Sequence, residues 1–203
     1  MHKQERMNSS KQEQLDKIKS EILNNMKCPL KDSATNLVFG KGNPDAQIVL
    51  IGEAPGKNED LQGVPFVGAA GKQLDSLLHL IDLGIDDVYI ANILKYRPPE
   101  NRNPSVDEIK RHTPYLIKQI EIIKPQIIIT LGNFATKFVL SGFNVEGMNK
   151  VKGITSLHGD PQSIIAKGSH FIVVPMFHPA AVLYNRSLEE SIKEDFIKLK
   201  KLL

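Results

Sequence analysis

Four short apolar runs rich in valine and isoleucine recur along the chain. They occupy residues 46–52 (AQIVLIG), 88–94 (VYIANIL), 126–132 (QIIITLG) and 171–177 (FIVVPMF). Their hydrophobicity is continuous rather than alternating, which is typical of strands that are buried on both faces, as in a parallel sheet.

The segments between these runs have helical periodicity. Apolar residues spaced three and four apart predict helices within residues 15–26, 74–81, 106–123 and 188–203. Two serine–glutamate pairs, Ser105 with Glu108 and Ser187 with Glu190, predict capping boxes at the start of two of these helices. Because strands alternate with helices, the predicted fold class is α/β, a three-layer α/β/α sandwich around a central, mainly four-stranded parallel sheet.

The remaining segments carry weaker patterns. We predict that residues 1–12 are a flexible N-terminal tail and that residues 13–203 form one domain. Residues 97–104 contain three prolines and are predicted to be a loop, since proline removes backbone donors and restricts its neighbour. Residues 141–169, rich in glycine, lysine and polar residues, are predicted to be a long loop with weak structure.

Composition narrows the class of protein. Charged residues make up 24% and hydrophobic residues 41% of the 203 positions, which excludes a disordered, fibrous or membrane-embedded chain. The N-terminus lacks the pattern of a secretory signal. The single cysteine, Cys28, cannot form an intramolecular disulfide and suits a reducing compartment. A net charge of +3 permits a polyanionic partner without indicating one.

Polar residues lie where three of the predicted strands end. Glu53 follows the first strand, Asn92 lies near the end of the second, and His178 follows the fourth. Ligands of open α/β sheets bind beyond the carboxyl ends of the strands, so we expect these side chains to share a site. Each alone also has a structural interpretation: Glu53 as a helix cap, Asn92 as a partner of backbone groups and His178 as a turn residue.

Three longer segments resemble a known family. Residues 52–75 (GEAPGKNEDLQGVPFVGAAGKQLD), 89–104 (YIANILKYRPPENRNP) and 177–183 (FHPAAVL) resemble, in this order, the uracil-DNA glycosylase superfamily, and most of all its family 4. The resemblance extends from about Cys28 to the C-terminus. It implies a DNA repair enzyme that hydrolyses the N-glycosidic bond of uracil and leaves an abasic site, which starts base excision repair.

The resemblance also implies roles for single residues. Glu53 would stabilise the positively charged sugar and position water, and His178 would donate to uracil O2 as the base leaves as an anion. Asn92 would bind the polar edge of uracil. The other substrate-binding residues implied are Phe66, which would stack on the base, Glu59, which would lie near C5 and exclude the methyl group of thymine, and Ala54.

Contacts with DNA are implied for two loops. Ala180, Ala181, Val182 and Leu183 would form an apolar wedge that enters the DNA, and Arg97 and Arg102 would bind phosphates. Tyr184 stands where the family often has arginine, and this departure weakens the DNA contact expected from that loop.

A second departure concerns iron. Family 4 members bind a [4Fe–4S] cluster through four cysteines, whereas here Cys28 stands at the second position with Asn25, Tyr96 and His112 at the others. One thiolate cannot hold such a cluster, so we predict an enzyme without metal or cofactor. We expect Tyr96 and His112 to lie near Cys28 and to fill the volume of the cluster.

The expected partner is uracil-containing DNA, single- or double-stranded, bound by a monomer in the cytoplasm and away from membranes. Alternatives are a glycosylase for another deaminated base such as hypoxanthine, a non-catalytic protein that binds DNA or damaged bases, and a protein that binds small nucleotides. Asn92 argues against hypoxanthine, because relatives that prefer it tend to lack this residue. A binding protein would not need Glu53, Asn92 and His178 together.

Overall fold

The computed structural model describes residues 9–203, whose middle layer is a six-stranded sheet. The strands are β1 (Lys41–Gly42), β2 (Ile48–Gly52), β3 (Val88–Asn92), β4 (Ile127–Leu131), β5 (Gln162–Ala166) and β6 (Ser169–Met176). Their order across the sheet is β1-β3-β2-β4-β6-β5. The four central strands are parallel and the two edge strands pair antiparallel to them, so the predicted parallel core is confirmed and two edge strands are added.

The helices form a layer on each face of the sheet. They are α1 (Lys11–Asn25), α2 (Pro29–Ser33), α3 (Lys57–Gln62), α4 (Ala69–Leu80), α5 (Val106–Ile123), α6 (Asn133–Leu140), α7 (Ala181–Tyr184) and α8 (Glu189–Leu199). α1, α5 and α6 cover one face, and α4 and α8 cover the other. Successive residues of β2, such as Val49 and Leu50, point to opposite faces of the sheet and enter different cores. This explains why the strand is apolar throughout. The predicted three-layer sandwich is confirmed.

The prediction of a loop over residues 141–169 is wrong at β5. This edge strand is covered on one face only, so its residues alternate between half-buried and exposed positions. Lys167 and Gly168, with φ of 51° and 73°, form the tight turn that joins it to β6. The same segment also contains two short 3₁₀ helices, Val145–Lys150 and Ile154–Ser156.

The first helix starts earlier than predicted. Ser10 caps α1 through a capping box with Glu13, and therefore Lys11 and Gln12 form its first turn rather than part of a tail. The rest of the predicted tail, residues 1–8, lies outside the described residues.

One predicted capping box is confirmed and the other is wrong. Ser105 accepts from the backbone of Glu108 at 3.2 Å, and the Glu108 carboxylate accepts from the backbone of Ser105 at 2.8 Å. Ser187 instead lies in a 3₁₀ turn, where the Asn185 side chain accepts from its backbone at 3.1 Å, and α8 begins after that turn without a side-chain cap. Among residues 9–203, no helix is long and apolar enough to cross a membrane.

Candidate active site

A pocket of about 360 Å³ lies at the carboxyl ends of the parallel strands. β2 leads into Glu53, β3 ends at Asn92, and β6 is followed by Phe177 and His178, so three separate strand ends deliver their polar side chains to one place. The predicted site residues that line this strand-end pocket are Glu53, Ala54, Glu59, Phe66, Asn92, Arg102, His178 and Ala180.

Asn92 supplies a buried acceptor without a partner. It pairs with Gly52 across β3 and β2 and is only 2% exposed. Within the described residues, its Oδ1 atom accepts no hydrogen bond. A Cβ atom at Gly52 would lie 2.3 Å from this oxygen, which explains the glycine there. An unsatisfied buried polar atom costs about 1–3 kcal/mol, so the arrangement favours a ligand that brings a donor.

Phe66 supplies an aromatic ring beside that acceptor. The ring stacks on His178 with 5.6 Å between centroids and 26° between planes. Its backbone is left-handed, with φ of 51°, a conformation that costs a non-glycine residue about 1–2 kcal/mol. Lys41 Nζ donates to the Phe66 carbonyl at 2.9 Å, and a Cβ atom at Gly71 would lie 2.1 Å from that carbonyl oxygen. The surrounding contacts therefore hold the strained loop in place.

Glu59 anchors the loop that carries Phe66. Its Oε1 atom accepts from the backbone N–H groups of Val67 and Gly68 at 2.9 Å and 2.8 Å. Gly68 is the residue before α4, so one carboxylate ties the loop to the start of that helix. The sequence predicted only a position near the base for Glu59. The contact with the loop was not predicted, because no local pattern links these residues.

His178 is held as a neutral donor. Its Nδ1 atom accepts from the backbone N–H of Ala180 at 3.2 Å, so in the neutral ring Nε2 carries the hydrogen. Burial lowers the pKa of His178 to about 4, and the negative charge of Glu59 only partly opposes this change. At neutral pH the ring therefore offers an N–H donor without a positive charge.

Glu53 supplies the carboxylate. Its main-chain carbonyl accepts from Leu94 at 3.0 Å, which continues the pairing of β2 and β3 beyond the last residues of both strands. The half-buried side chain lies at the pocket wall, and burial raises its pKa. The residue before α3 is Gly56, and the acidic residues of its first turn are Glu59 and Asp60, so Glu53 is not the helix cap considered above.

The two arginines of the proline-rich loop are already engaged within the protein. Arg102 donates to both oxygens of Glu108 at 2.9 Å and 2.6 Å, and this pairing lowers the pKa of Glu108 to about 2. Arg97 Nε donates to Asn101 at 2.8 Å. Arg102 lines the pocket, but its guanidinium primarily holds the start of α5 rather than standing free for a phosphate.

The segment predicted to be a wedge is the short helix α7. Val182 points inward and joins the core under α8, so with 8% exposure it offers little surface to DNA. Leu183 is 56% exposed and Tyr184 is 90% exposed. Tyr184 also lines the pocket, a role that the resemblance did not imply for this departure from the family pattern.

The expected meeting of Cys28, Tyr96 and His112 is confirmed. His112 Nδ1 accepts from the backbone N–H of Lys95 at 2.8 Å, so Nε2–H donates to Cys28 Sγ at 3.2 Å. The Tyr96 ring stands edge-on to the imidazole with 6.1 Å between centroids. Asn25, by contrast, is exposed at the end of α1.

These residues do not fit a [4Fe–4S] cluster. They bring one sulfur atom, and the imidazole nitrogen that faces it is a hydrogen donor rather than a free ligand. Across residues 9–203, no group of three or more histidine, cysteine, aspartate or glutamate side chains could hold a metal ion.

Fold and site together define an α/β/α protein with a carboxylate, an amide and a neutral imidazole in a pocket at the strand ends. The family model described as the uracil DNA glycosylase superfamily matches residues 39–200. The chain belongs to this superfamily.

Known relatives match nearly the whole chain. The type-4 uracil-DNA glycosylase of Sulfurisphaera tokodaii is 46% identical over 191 residues, which cover 93% of this chain and 84% of that protein. The type-4 uracil-DNA glycosylase of Archaeoglobus fulgidus is 44% identical over 190 residues, 94% of each chain. That of Thermotoga maritima is 41% identical over 178 residues, 87% of this chain and 88% of that protein. The resemblance to family 4 is thereby confirmed.

Proposed function

We propose that this protein is a uracil-DNA glycosylase, which hydrolyses the N-glycosidic bond of uracil in DNA and leaves an abasic site for base excision repair. The observation that carries the proposal is the unpartnered Oδ1 atom of Asn92 on the buried wall of the strand-end pocket, beside the ring of Phe66. Uracil carries an N–H donor at N3, and this group can satisfy that oxygen. The similarity to type-4 uracil-DNA glycosylases, which extends over nearly the full length of the chain, supports the same activity.

Base selection follows from the polar edge of the pocket. Asn92 Oδ1 accepts from uracil N3–H while its amide nitrogen donates to O4. Cytosine presents an acceptor at N3 and a donor at C4, so it meets this amide with like groups. Phe66 stacks on the base, and Glu59 lies near C5, where thymine carries its methyl group. The target base must leave the duplex stack to enter such a pocket.

Glu53 and His178 stabilise the opposite charges that develop in the reaction. As the bond from C1′ to N1 breaks, its electron pair leaves with uracil, which becomes an anion, and the sugar becomes a cation. His178 Nε2–H donates to uracil O2 and stabilises the anion. The Glu53 carboxylate stabilises the cation and positions the water molecule that adds to C1′. The proton lost by that water finally neutralises the uracil anion.

DNA binding rests on exposed groups around the pocket. Leu183 is the candidate wedge, with Ala180 at the pocket wall, and Arg97 and the open side of Arg102 are the candidate phosphate contacts. We propose that the protein acts as a monomer on single- or double-stranded DNA. We place this action in the cytoplasm, where a prokaryotic chromosome lies.

A glycosylase assay tests the proposal. The protein is incubated with matched oligonucleotides that contain uracil, hypoxanthine or no damaged base, and abasic sites are detected by alkaline cleavage. We expect cleavage at uracil alone. Cleavage at hypoxanthine alone would instead assign the alternative glycosylase, and binding of the uracil oligonucleotide without base release would assign a non-catalytic binding protein.

A further inference from the structure

Lys95 lies in the interior without an acidic partner. Its side chain is fully buried, and among residues 9–203 no carboxylate lies within 4.0 Å of it. Instead, Nζ donates to the main-chain carbonyl of Asn92 at 2.9 Å, to Gln119 Oε1 at 2.6 Å and to the carbonyl of Phe39 at 3.4 Å. Burial lowers the pKa of Lys95 to about 7, and both the ammonium and the amine carry N–H donors. The presence of a lysine at a fully buried position therefore needs a reason beyond charge pairing.

Asn92 is the residue that this lysine holds. The Asn92 side-chain oxygen has no hydrogen-bond partner in the described part of the chain, so no such bond fixes that end of the amide. Its direction depends on the main chain at the end of β3 and on the close contact with Gly52. A contact that holds the main-chain carbonyl of Asn92 consequently holds the backbone from which this amide projects, while the contact with Gly52 limits its side-chain torsions.

Helix α5 holds Lys95 from two sides. Gln119, which accepts from Nζ, also donates to the Phe39 carbonyl at 3.1 Å and to the Tyr89 hydroxyl at 3.2 Å. The backbone N–H of Lys95 donates to His112 Nδ1 at 2.8 Å. The buried network thus connects two side chains of α5 to the end of β3, where the polar edge of the base would be read.

We infer that Lys95 is a positioning residue for base recognition, which acts through Asn92 by holding its main-chain carbonyl. The inference rests on the proposed function, since it assigns Lys95 a part in the reading of uracil. A purely structural role would affect folding and would slow excision whether or not residue 92 carries an amide. A positioning role matters only while that amide is present.

A double-mutant cycle separates these two roles. Single-turnover excision of uracil is measured with enzyme in excess for the wild type, Lys95→Met, Asn92→Ala and the double variant, together with the thermal unfolding of each. We expect Lys95→Met to slow excision about 10- to 100-fold in the wild-type background, because small misplacements of reacting groups cost that much. In the Asn92→Ala background, the same change should slow excision by less than about threefold.

Two further variants complete the test. Gln119→Met removes one partner of Nζ and keeps the lysine, so it should cause a smaller loss that again disappears in the Asn92→Ala background. Lys118→Met is the matched control, because Lys118 lies next to Gln119 on α5 and pairs with Glu21 at the surface. Its excision rate should equal that of the wild type.

Equal losses from Lys95→Met in both backgrounds, or no loss in either, would overturn the inference. Should Lys95→Met fail to fold, the Gln119→Met cycle decides by the same criterion. Wild-type protein that releases no uracil would overturn the proposed function, and the role of Lys95 with it. If only the role of Lys95 is wrong, the wild type still releases uracil, and Lys95→Met shows equal losses, or none, in the two backgrounds.

Discussion

At the scale of single residues, burial favours the neutral forms of the two candidate catalytic groups. It raises the pKa of Glu53 and lowers that of His178 to about 4. A neutral imidazole suits its proposed task, since a donor to the leaving base needs an N–H group but no permanent charge. The charged form of Glu53 is less stable than a carboxylate in water. Its attraction to a sugar cation that forms beside it is correspondingly strong.

Glu53→Gln should lower the single-turnover rate of uracil excision by about 10²–10³-fold, because the neutral amide cannot stabilise the sugar cation. Affinity for uracil-containing DNA should change little, since this charge acts mainly on the transition state. Glu121→Gln, at an exposed position of α5, is the control. Wild-type rates in Glu53→Gln would remove Glu53 from the mechanism.

The rate of excision should also fall on the acidic side of neutrality because of Glu53. Its pKa is raised, so the carboxylate is lost as pH falls through a range above that of an ordinary glutamic acid. His178 becomes protonated only near its pKa of about 4 and cannot cause this first decrease. A pH profile of single-turnover rates should lose this acid limb in Glu53→Gln. An unchanged limb in that variant would assign the titration to another group.

At the scale of elements, the short helix α7 separates a buried from an exposed apolar side chain. Val182 packs in the core, while Leu183 is 56% exposed and lies between Ala180 and Tyr184, which line the pocket. A short helix can thus present one leucine to DNA while its neighbour anchors the helix to the fold.

Leu183→Ala should slow excision from a duplex more than from a single strand. Extrusion of a paired base costs a few kcal/mol of unpairing and unstacking, and a leucine that fills the vacated space offsets part of this cost. Parallel single-turnover assays on both substrates measure the difference. Ile165→Ala, on the exposed edge strand β5, should change neither rate. Equal losses on both substrates would indicate damage to the pocket rather than loss of a wedge.

A hydrogen bond joins Cys28, before α2, to His112, on α5. Cys28→Ser should retain most activity and lose about 1 kcal/mol or less of unfolding free energy, because serine can accept the same N–H donor. His112→Ala should lose about 3 kcal/mol, since it leaves a cavity and unsatisfied polar groups. Urea unfolding of both variants measures the difference.

The same purified wild-type protein should contain no stoichiometric iron and show no broad visible absorbance. Metal analysis and an absorption spectrum check this directly. Iron in stoichiometric amount would contradict the interpretation of Cys28 as a hydrogen-bonded core residue.

At the scale of the whole molecule, two neutral histidines, one buried and one half-buried, make the fold sensitive to acid. The pKa of His112 is lowered to about 3 and that of His178 to about 4, whereas an unfolded histidine has a pKa of about 6.5. Below about pH 6.5 the unfolded chain therefore binds protons that the native chain does not. The contribution of these two histidines to the free energy of unfolding is therefore highest above this pH and decreases as the pH falls toward 4 and 3.

Replacement of one of these histidines should flatten this dependence. His178→Asn should lose less unfolding free energy than the wild type between about pH 6.5 and pH 4.5. Below this range Glu108, with a pKa of about 2, adds its own loss as it becomes protonated. Urea unfolding across this range measures the slope, with His79→Asn on the exposed face of α4 as control. Equal slopes in the wild type and His178→Asn would show that His178 does not titrate differently on folding.

The sequence by itself determined the central sheet and the ends of its strands. The continuous apolar runs correspond to β2, β3, β4 and β6 because strands buried on both faces leave no room for polar residues. The sequence also predicted a shared site for Glu53, Asn92 and His178. These residues follow or end parallel strands, whose carboxyl ends lie at one edge of the sheet.

Only the tertiary structure decided the edge strand β5, the inward position of Val182 and the burial of Lys95. The sequence of β5, QSIIA, does not alternate in hydrophobicity as its burial does, because Ile165 is exposed, and a four-residue helix is too short to show a period. A local sequence pattern predicts that a lysine lies at the surface. Lys95 is nevertheless buried and contacts Phe39 and Gln119, which lie 56 and 24 positions away along the chain. Local patterns record burial averaged over neighbours in the chain, whereas such contacts exist only after distant segments have packed together.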